Sequence, residues 1–293
     1  MKTFHALRTL AAAALMIGSA SGAYAIDGDA GDYTPLPAGA NLGIAYLAFG
    51  NSDTFDQDGV GEIPNSKLNT TAAVLRFVHF SELGGKPIAV QAFAPFVNFR
   101  DIEIGGTALP TKAGMGDLTV AATYWPIAAA PTDLHGTTLG LTLFATLPTG
   151  NYEFGRASAG SGTYTITPQV GYQQGLGGGF FFDAYYDVAF ASDHTESGFE
   201  VSVDPAQQLQ TYLRYEFKPG FNAAIGYSAK RGGEQYVDGI YTGTKSESEQ
   251  LRISGSAFLN ATTQIQGGVS YDTGASGGFK SGPNIQIRLL KVF

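Results

Sequence analysis

Polar and apolar side chains alternate along most of the chain, and this period of two residues constrains the fold more than any other feature. Between Gln208 and Phe217 the two faces separate cleanly: Leu209, Thr211, Leu213, Tyr215 and Phe217 lie opposite Gln208, Gln210, Tyr212, Arg214 and Glu216. Successive side chains of a β-strand point to opposite faces of its sheet. Twelve such segments, each about ten residues long, lie between Gly39 and Phe293 and are separated by clusters of Gly, Pro, Asn and Asp. The pattern predicts an all-β, antiparallel protein of about twelve strands, to within two strands.

Two architectures fit this pattern: a soluble β-sandwich, whose apolar faces meet in a core, and a closed transmembrane β-barrel. Only 14% of the residues are charged, whereas the chain has 20 Phe and 15 Tyr. The connections also alternate in length, so that Glu82 to Lys86 is short but Asn51 to Ser66 is long. Barrels with both termini in the periplasm have short periplasmic turns and long extracellular loops. We therefore favour the barrel, which closes because hydrocarbon offers no partner to an unpaired strand edge.

The first 25 residues have the features of a secretory signal peptide. Lys2 and Arg8 form a basic start, Leu10 to Ile17 is a short apolar run, and Ala23-Tyr24-Ala25 is typical of a cleavage site. Cleavage there leaves 15 basic and 25 acidic residues, a net charge of −10. No basic stripe for nucleic acid is evident. Residues 26–38 are predicted to be a free periplasmic segment, and residues 39–293 to be one outer-membrane barrel domain of a Gram-negative bacterium.

Aromatic residues cluster near the predicted strand ends, where a membrane-interface girdle would lie. The chain closes on an alternating strand with Ile285, Ile287, Leu289 and Phe293 on one face. A terminal phenylalanine in this position resembles the signal that the barrel assembly machinery reads. Lys291 shares that face, and at the membrane boundary its ammonium can reach the headgroups. Outer-membrane lipid and lipopolysaccharide are the expected surroundings.

Several short motifs resemble those of the outer-membrane family described by phenol degradation through the MetA pathway. They are Gly114-Met115-Gly116-Asp117-Leu118 before a strand ending at Trp125-Pro126, then Leu147-Pro148-Thr149-Gly150, and Gly162-Thr163-Tyr164 leading to Pro168-Gln169-Val170-Gly171-Tyr172. The resemblance spans about Gly39 to Phe293. It implies a barrel that moves small, often hydrophobic or aromatic compounds, and it supplies no binding residues.

A passage function needs a polar lumen, and the alternation places charged residues there. The candidate lumen-lining residues are Asp117, Asp183, Asp187, Arg214, Glu216, Lys230, Arg252, Asp272 and Arg288. Such residues can select solutes, or they can pair across the lumen and hold the barrel together. The leading hypothesis is a channel for a small-molecule solute. The alternative is a structural barrel whose long loops, such as Gly232 to Lys245, engage a partner.

The sequence offers little evidence for catalysis, cofactors or metals. His79 and Ser81 lie two residues apart on one strand face, as in an outer-membrane lipase, but no Asn or Asp is evident to orient the histidine and loop parity puts both at the periplasmic end. The loop from Thr54 to Asn65 lacks the first and last ligands of an EF-hand. No catalytic, cofactor-binding or metal-binding residues are predicted.

Overall fold

The computed structural model describes residues 27–130, 132–218 and 220–293. Twelve long antiparallel strands account for most of them: β1 (Asn41–Ser52), β2 (Lys67–Leu83), β3 (Lys86–Ile104), β4 (Leu118–Ile127), β5 (Thr137–Leu147), β6 (Thr165–Gly177), β7 (Phe180–Ala191), β8 (Ala206–Lys218), β9 (Phe221–Gly232), β10 (Glu247–Asn260), β11 (Thr263–Ser276) and β12 (Asn284–Val292). Two additional two-residue strands, Thr107–Ala108 and Gly114–Met115, pair with β3. Among the described residues no helix is long and apolar enough to cross a membrane.

The strands form a closed ring in chain order. Each pairs with the next, and β1 pairs on one edge with β2 and on the other with β12, where Leu42 faces Val292 and Phe49 faces Ile285. Closure leaves neither β1 nor β12 with an unpaired edge, as a bilayer requires. The predicted twelve-stranded barrel is confirmed.

Side chains alternate between the lumen and the outer surface. Along β5, Thr138 and Thr142 are buried inside, whereas Leu141 and Leu143 are 45% and 53% exposed outside. A soluble sandwich would bury such leucines in a core, and here they form the lipid-facing surface. This surface is continuous across the strands, since Ile225, Ile253, Val269 and Ile285 are cross-strand neighbours and all are exposed.

A charge placed in this apolar belt should destabilise the barrel. Ile253 lies at the middle of β10 and is 65% exposed. We expect Ile253→Arg to lower the free energy of unfolding by about 2–4 kcal/mol, because hydrocarbon cannot solvate the guanidinium. Leu259→Arg, near the periplasmic end of β10, is the matched control and should cost about 0–1 kcal/mol. Denaturant titration in lipid vesicles measures both, and equal losses would contradict the assignment of the belt.

The two ends of the barrel differ as the loop lengths predicted. Four of the five periplasmic connections are two residues long. In the turn between β2 and β3, Gly84 and Gly85 have φ angles of 58° and 76°. Glycine adopts this left-handed conformation without strain, and two such residues form the tight turn that suits a twisted hairpin.

The extracellular loops pack over their end of the barrel, and we call this layer the roof. It contains three small sheets made from strands Thr54–Gln57, Gly61–Ile63 and Gly278–Lys280; Thr111–Lys112 and Ala157–Ser158; and His194–Glu196, Phe199–Val203, Gln235–Val237 and Ile240–Tyr241. Loops that are far apart in sequence therefore share sheets. An apolar cluster that includes Phe55, Ile104 and Ala157 packs beneath them.

The N-terminal segment differs from its prediction. A free periplasmic segment was expected over residues 26–38, but residues 27–36 lie inside the lumen, and we call them the plug. Tyr33 is 5% exposed and its hydroxyl lies 2.8 Å from both Thr142 Oγ1 and Gln169 Oε1. The plug enters because its acidic and aromatic side chains find cationic and polar partners on the lumen wall. The predicted signal peptide, residues 1–25, and residue 26 lie outside the described residues.

Candidate functional site: the plugged lumen

The plug rises from the periplasmic end of the barrel. Just after it, Gly39 donates its N–H to the Phe80 carbonyl, and Leu36 packs against the apolar lumen wall nearby. At its other end, Asp27 Oδ1 accepts a hydrogen bond from Gln208 Nε2 at 2.8 Å, and Gln208 is the third residue of β8, near the extracellular end of that strand. The plug therefore extends from the periplasmic end of the lumen to the level of Gln208, near the extracellular end of β8.

Three arginines on the wall hold the plug by ion pairs with its aspartates. Arg288 Nη1 lies 2.9 Å from Asp29 Oδ2 and 3.0 Å from Asp32 Oδ1. The other oxygen of Asp32 is 3.0 Å from Arg76 Nη1. Ion pairs of this kind are strong when they are withdrawn from water and hydrogen-bonded. Asp32 thus joins β2 to β12 through the plug.

The third arginine holds the upper end of the plug. Arg252 Nη2 lies 3.0 Å from Asp27 Oδ2, and Arg252 Nη1 donates to Gln210 and to the Tyr212 hydroxyl. Tyr212 in turn donates to the Gly28 carbonyl at 2.8 Å. The plug backbone is therefore hydrogen-bonded to the wall as well as ion-paired with it.

A further ion pair within the wall supports the plug indirectly. Arg214 Nε lies 3.1 Å from Asp183 Oδ2, and its guanidinium stacks over Phe181 at 4.4 Å. Asp183 is fully buried and also accepts from Gln173 Nε2 and from the N–H of Gly31. The carboxylate is therefore neutralised by the wall and still receives one hydrogen bond from the plug.

Tyr33 is seated in a groove that only glycine can form. A Cβ atom at Gly171 would lie 2.2–2.3 Å from the Tyr33 ring, and one at Gly140 would lie 2.4–2.6 Å from it. These distances are far below any van der Waals contact. The carbonyl of Tyr33 accepts a hydrogen bond from Trp125 Nε1 at 2.8 Å. Trp125 is the chain's one tryptophan, so its fluorescence reports directly on the seating of the plug.

Filling this groove should unseat Tyr33. We expect Gly171→Ala to cost about 1–3 kcal/mol of plug docking through overpacking, and to shift the Trp125 emission to longer wavelength as water reaches the indole. Gly267→Ala is the matched control, because a Cβ there has no neighbour within 4 Å. An unchanged emission maximum in folded Gly171→Ala would contradict this description of the groove.

The remaining predicted lumen residues are spread over the height of the barrel. At the extracellular end, Asp117 accepts from the N–H groups of Gly150 and Ser161, and Asp272 accepts from Gln250 and from the N–H of Ser281. Both therefore fasten roof loops to the wall. At the periplasmic end, Glu216 accepts from the Gly220 N–H in the turn between β8 and β9.

Two predicted residues lie near Asp27, on the extracellular side of the midpoints of β7 and β9. Asp187 and Lys230 are cross-strand neighbours of Gln208 on its two sides. Asp187 is fully buried, and one of its oxygens accepts from Gln169 Nε2 at 2.9 Å. The structure thus brings Asp187, Lys230 and Arg252 together around the upper end of the plug.

The plug leaves a cavity of about 430 Å³ in the periplasmic half of the lumen. One wall is apolar and comes from β1, β2, β4 and β12: Leu42, Ile44, Val78, Phe80, Trp125 and Leu290. The opposite wall is polar and includes Arg214, Glu216 and Asn222. A cavity of this size, mostly apolar with a few polar groups, suits a small organic molecule.

Two roof loops are joined by ion pairs among Lys245, Asp58 and Glu247, and we call these three residues the latch. Lys245 Nζ lies 2.9 Å from Asp58 Oδ1 and 2.7 Å from Glu247 Oε2. The Lys245 ammonium holds the pKa of the Asp58 carboxyl below its ordinary value, and the carboxylates of Glu247 and Asp58 raise the pKa of Lys245. The latch joins the loop after β1 to the loop before β10.

Asp58→Asn should loosen this latch. The pKa of Asp58 is lower in the folded protein than its ordinary value. The ion pair with Lys245 therefore stabilises the roof fully when the pH is above the ordinary pKa of an aspartate, and this stabilisation is lost as the pH falls through the lower pKa of the folded protein. An exposed pair is worth about 0–1 kcal/mol, and amide exchange over residues 53–58 should therefore accelerate up to about fivefold. Asp53→Asn, whose side chain accepts a hydrogen bond from the hydroxyl of the neighbouring Thr54, is the control. Equal exchange in both variants would exclude the latch.

The pair considered for a lipase acquires one partner that the sequence did not reveal. Asn41 Oδ1 lies 2.9 Å from His79 Nδ1, because β1 and β2 pair Asn41 with His79. No partner was evident in the sequence, since the two residues are 38 positions apart. Among the described residues no hydrogen bond joins Ser81 to His79, and both lie at the periplasmic end of β2. The geometry of a catalytic triad is not assembled.

Comparison with solved structures supports this architecture. An outer membrane channel from Pseudomonas putida F1 is 26% identical, with a TM-score of 0.82 over 91% of this chain and 100% of that one. The transport unit of the autotransporter AIDA-I from Escherichia coli is 11% identical, with a TM-score of 0.50 over 97% of each chain, and shows similarity of fold alone.

No curated protein sequence matches the chain. A family profile described as "Putative MetA-pathway of phenol degradation" matches residues 52–288, which is most of the chain. The protein is thus an outer-membrane β-barrel, and it belongs to this family.

Proposed function

We propose that the barrel is a channel through which small hydrophobic or aromatic organic molecules cross the outer membrane. The cavity of about 430 Å³ carries the proposal, because its apolar wall can receive a ring while the polar wall solvates a substituent. The similarity to an outer membrane channel supports the same function.

Uptake into lipid vesicles tests the proposal. Protein in vesicles should admit aromatic acids faster than sugars of similar size, and Ile44→Gln, which places an amide in the apolar wall, should reduce this preference. Ser256→Asn, on the polar side of the cavity, is the matched control. Permeability to none of the aromatic, aliphatic or sugar solutes would overturn the channel proposal.

The alternative is a structural barrel that does not transport. One observation favours it: tyrosines, ion pairs and the plug fill the lumen at mid-height, where Tyr185 and Asp183 are fully buried. On this alternative the interlocked roof engages a partner. Deletion of residues 233–245 separates the two functions, since a channel keeps its permeability whereas a structural barrel loses only partner binding.

The proposal also covers the assembly of the barrel, the export of the chain and the lipids that surround it. The side chain of Phe293 is 64% exposed beside Phe77 on the outer surface, which supports recognition of the last strand by the barrel assembly machinery. We also propose that residues 1–25 are removed during export and that the extracellular end of the barrel contacts lipopolysaccharide.

A channel of this kind needs no catalysis. Phospholipase activity that was lost in Ser81→Ala would contradict this part of the proposal.

A further inference from the structure

Three arginines of the lumen wall depend on the plug for their neutralisation. In the described part of the chain, the ion-pair partners of Arg76, Arg252 and Arg288 are all plug aspartates. Their hydrogen-bond partners on the wall are neutral amides and hydroxyls, those of Gln91, Gln210, Gln264, Tyr46 and Tyr212. Arg214 differs from them, because Asp183 on the wall neutralises it. The wall itself therefore offers a cationic site for carboxylates.

Asp32 shows how a carboxylate binds at this site. Its two oxygens are divided between two guanidinium groups, with Oδ2 3.0 Å from Arg76 Nη1 and Oδ1 3.0 Å from Arg288 Nη1. The arginine side chains are only 13% and 6% exposed. The Nε of Arg288 is buried and has no acceptor among the described residues. Charge-assisted hydrogen bonds from arginine to a carboxylate are strong and directional, so the site recognises this group specifically.

Apolar side chains lie directly beside the two guanidinium groups. Arg76 and Arg288 both line the cavity of about 430 Å³. Ile44 is the cross-strand neighbour of Arg76 on one side and of Leu290 on the other. Val78 and Leu290 follow the two arginines by two residues on the same strand face, a spacing of about 6.6 Å. This spacing is close to the length of one six-membered ring with its carboxyl group.

The plug fills the site with the same two kinds of group. Asp32 supplies the carboxylate, and four residues later Leu36 packs against the apolar cluster that contains Ile44 and Val78. An acid with one apolar ring carries both groups in a single molecule. The plug therefore occupies the positions that such an acid would take.

We propose that the solute of the channel is a monocarboxylic acid with one apolar ring, and that it releases the plug by replacing Asp32 between Arg76 and Arg288. One carboxylate replaces another, so the buried arginines stay neutralised during the exchange. A neutral molecule cannot release Asp32 without leaving Arg76 uncompensated, which is strongly unfavourable. The inference rests on the proposed channel function, because it names the solute of that channel and the event that opens it.

A thiol in the plug measures its release. The chain has no cysteine, and Ala30 packs against the lumen wall, so Ala30→Cys introduces one thiol that is shielded while the plug is docked. In protein reconstituted into lipid vesicles, sodium benzoate should accelerate alkylation of this thiol by neutral iodoacetamide, and the acceleration should saturate. Benzamide has the ring without the charge, and acetate has the charge without the ring. Each should need at least about tenfold higher concentration for the same acceleration.

The response should depend on the arginines of the site. In the Ala30→Cys background, Arg76→Gln should reduce the effect of benzoate to that of benzamide. Arg231→Gln, which changes an exposed arginine of an ion pair outside the cavity, is the control and should keep the full response. If the Arg76 variant does not fold, the comparison of the three solutes in Ala30→Cys alone decides.

Equal acceleration by benzoate and benzamide would overturn the inference, and so would equal acceleration by benzoate and acetate, which would show only screening of the ion pairs by salt. A full benzoate response in folded Arg76→Gln would also overturn it. Benzoate uptake into the same vesicles separates this inference from the channel itself. Uptake without faster alkylation overturns the inference alone, whereas the absence of uptake for every solute overturns the proposed channel.

Discussion

Removal of residues 29–36 will raise the single-channel conductance of the protein severalfold. These residues include Asp29, Asp32 and Tyr33, which fill the lumen between Arg288, Arg76 and the glycine groove. A twelve-stranded barrel is wider than the eight-stranded barrels that side chains fill, but narrower than open sixteen-stranded porins. Without the plug its lumen should therefore hold a continuous column of water. Recordings in planar bilayers measure the change.

The deletion leaves residues 1–28 unchanged, so that the proposed signal peptide and its cleavage site are not altered. Deletion of Asp238 and Gly239, at a turn in the roof, is the control and should leave the conductance near that of wild type. Unchanged conductance without the plug would mean that the roof is the barrier to ions, and the plug would then serve only to stabilise the barrel.

The second large effect is expected for Arg288→Gln. Arg288 is almost fully buried and neutralises both Asp29 and Asp32. Loss of one partner from a buried ion pair costs about 3–5 kcal/mol, because uncompensated charge remains. A free-energy change of about 1.4 kcal/mol corresponds to a tenfold change in an equilibrium constant. The population of the unplugged state should therefore rise at least about a hundredfold. Channel openings and Trp125 emission both report that population.

Arg231→Gln provides the matched control for this substitution. Arg231 lies 2.6 Å from Glu249, but both side chains are 42% exposed, so the expected loss is about 0–1 kcal/mol. Adding Asp29→Asn to Arg288→Gln should restore part of the docking, because Asp29 then carries no charge that needs neutralising, while Asp32 keeps its ion pair with Arg76. Equal effects of the two arginine substitutions would show that the plug pairs are not shielded from water.

The barrel could be predicted from the sequence because its physical cause repeats along the chain. Alternation such as that of Leu141 and Thr142 recurs in strand after strand, and the lengths of the connections identify the two ends. The plug could not be predicted in the same way. Asp27, Asp29 and Asp32 resemble any acidic terminal segment, and nothing local shows that their spacing matches arginines carried on β2, β10 and β12.

The lumen residues were only partly predictable for the same reason. Arg76 was absent from the predicted set because the alternation is irregular around it, and yet it holds Asp32. Asp117 and Asp272 do lie on the inner face, but the sequence does not tell that they bind roof loops. Alternation gives the direction of a side chain, whereas its partner depends on strands that are distant in sequence.

The partners of the plug are spread across the whole length of the chain. Arg76 lies on the second strand and Arg288 on the last, and the Arg288–Asp29 hydrogen bond spans 259 positions. These two arginines come together around one aspartate only when the last strand has joined the first. In a barrel that is not yet closed, the plug therefore lacks its complete set of partners. During membrane insertion, docking of the plug can only be the final step.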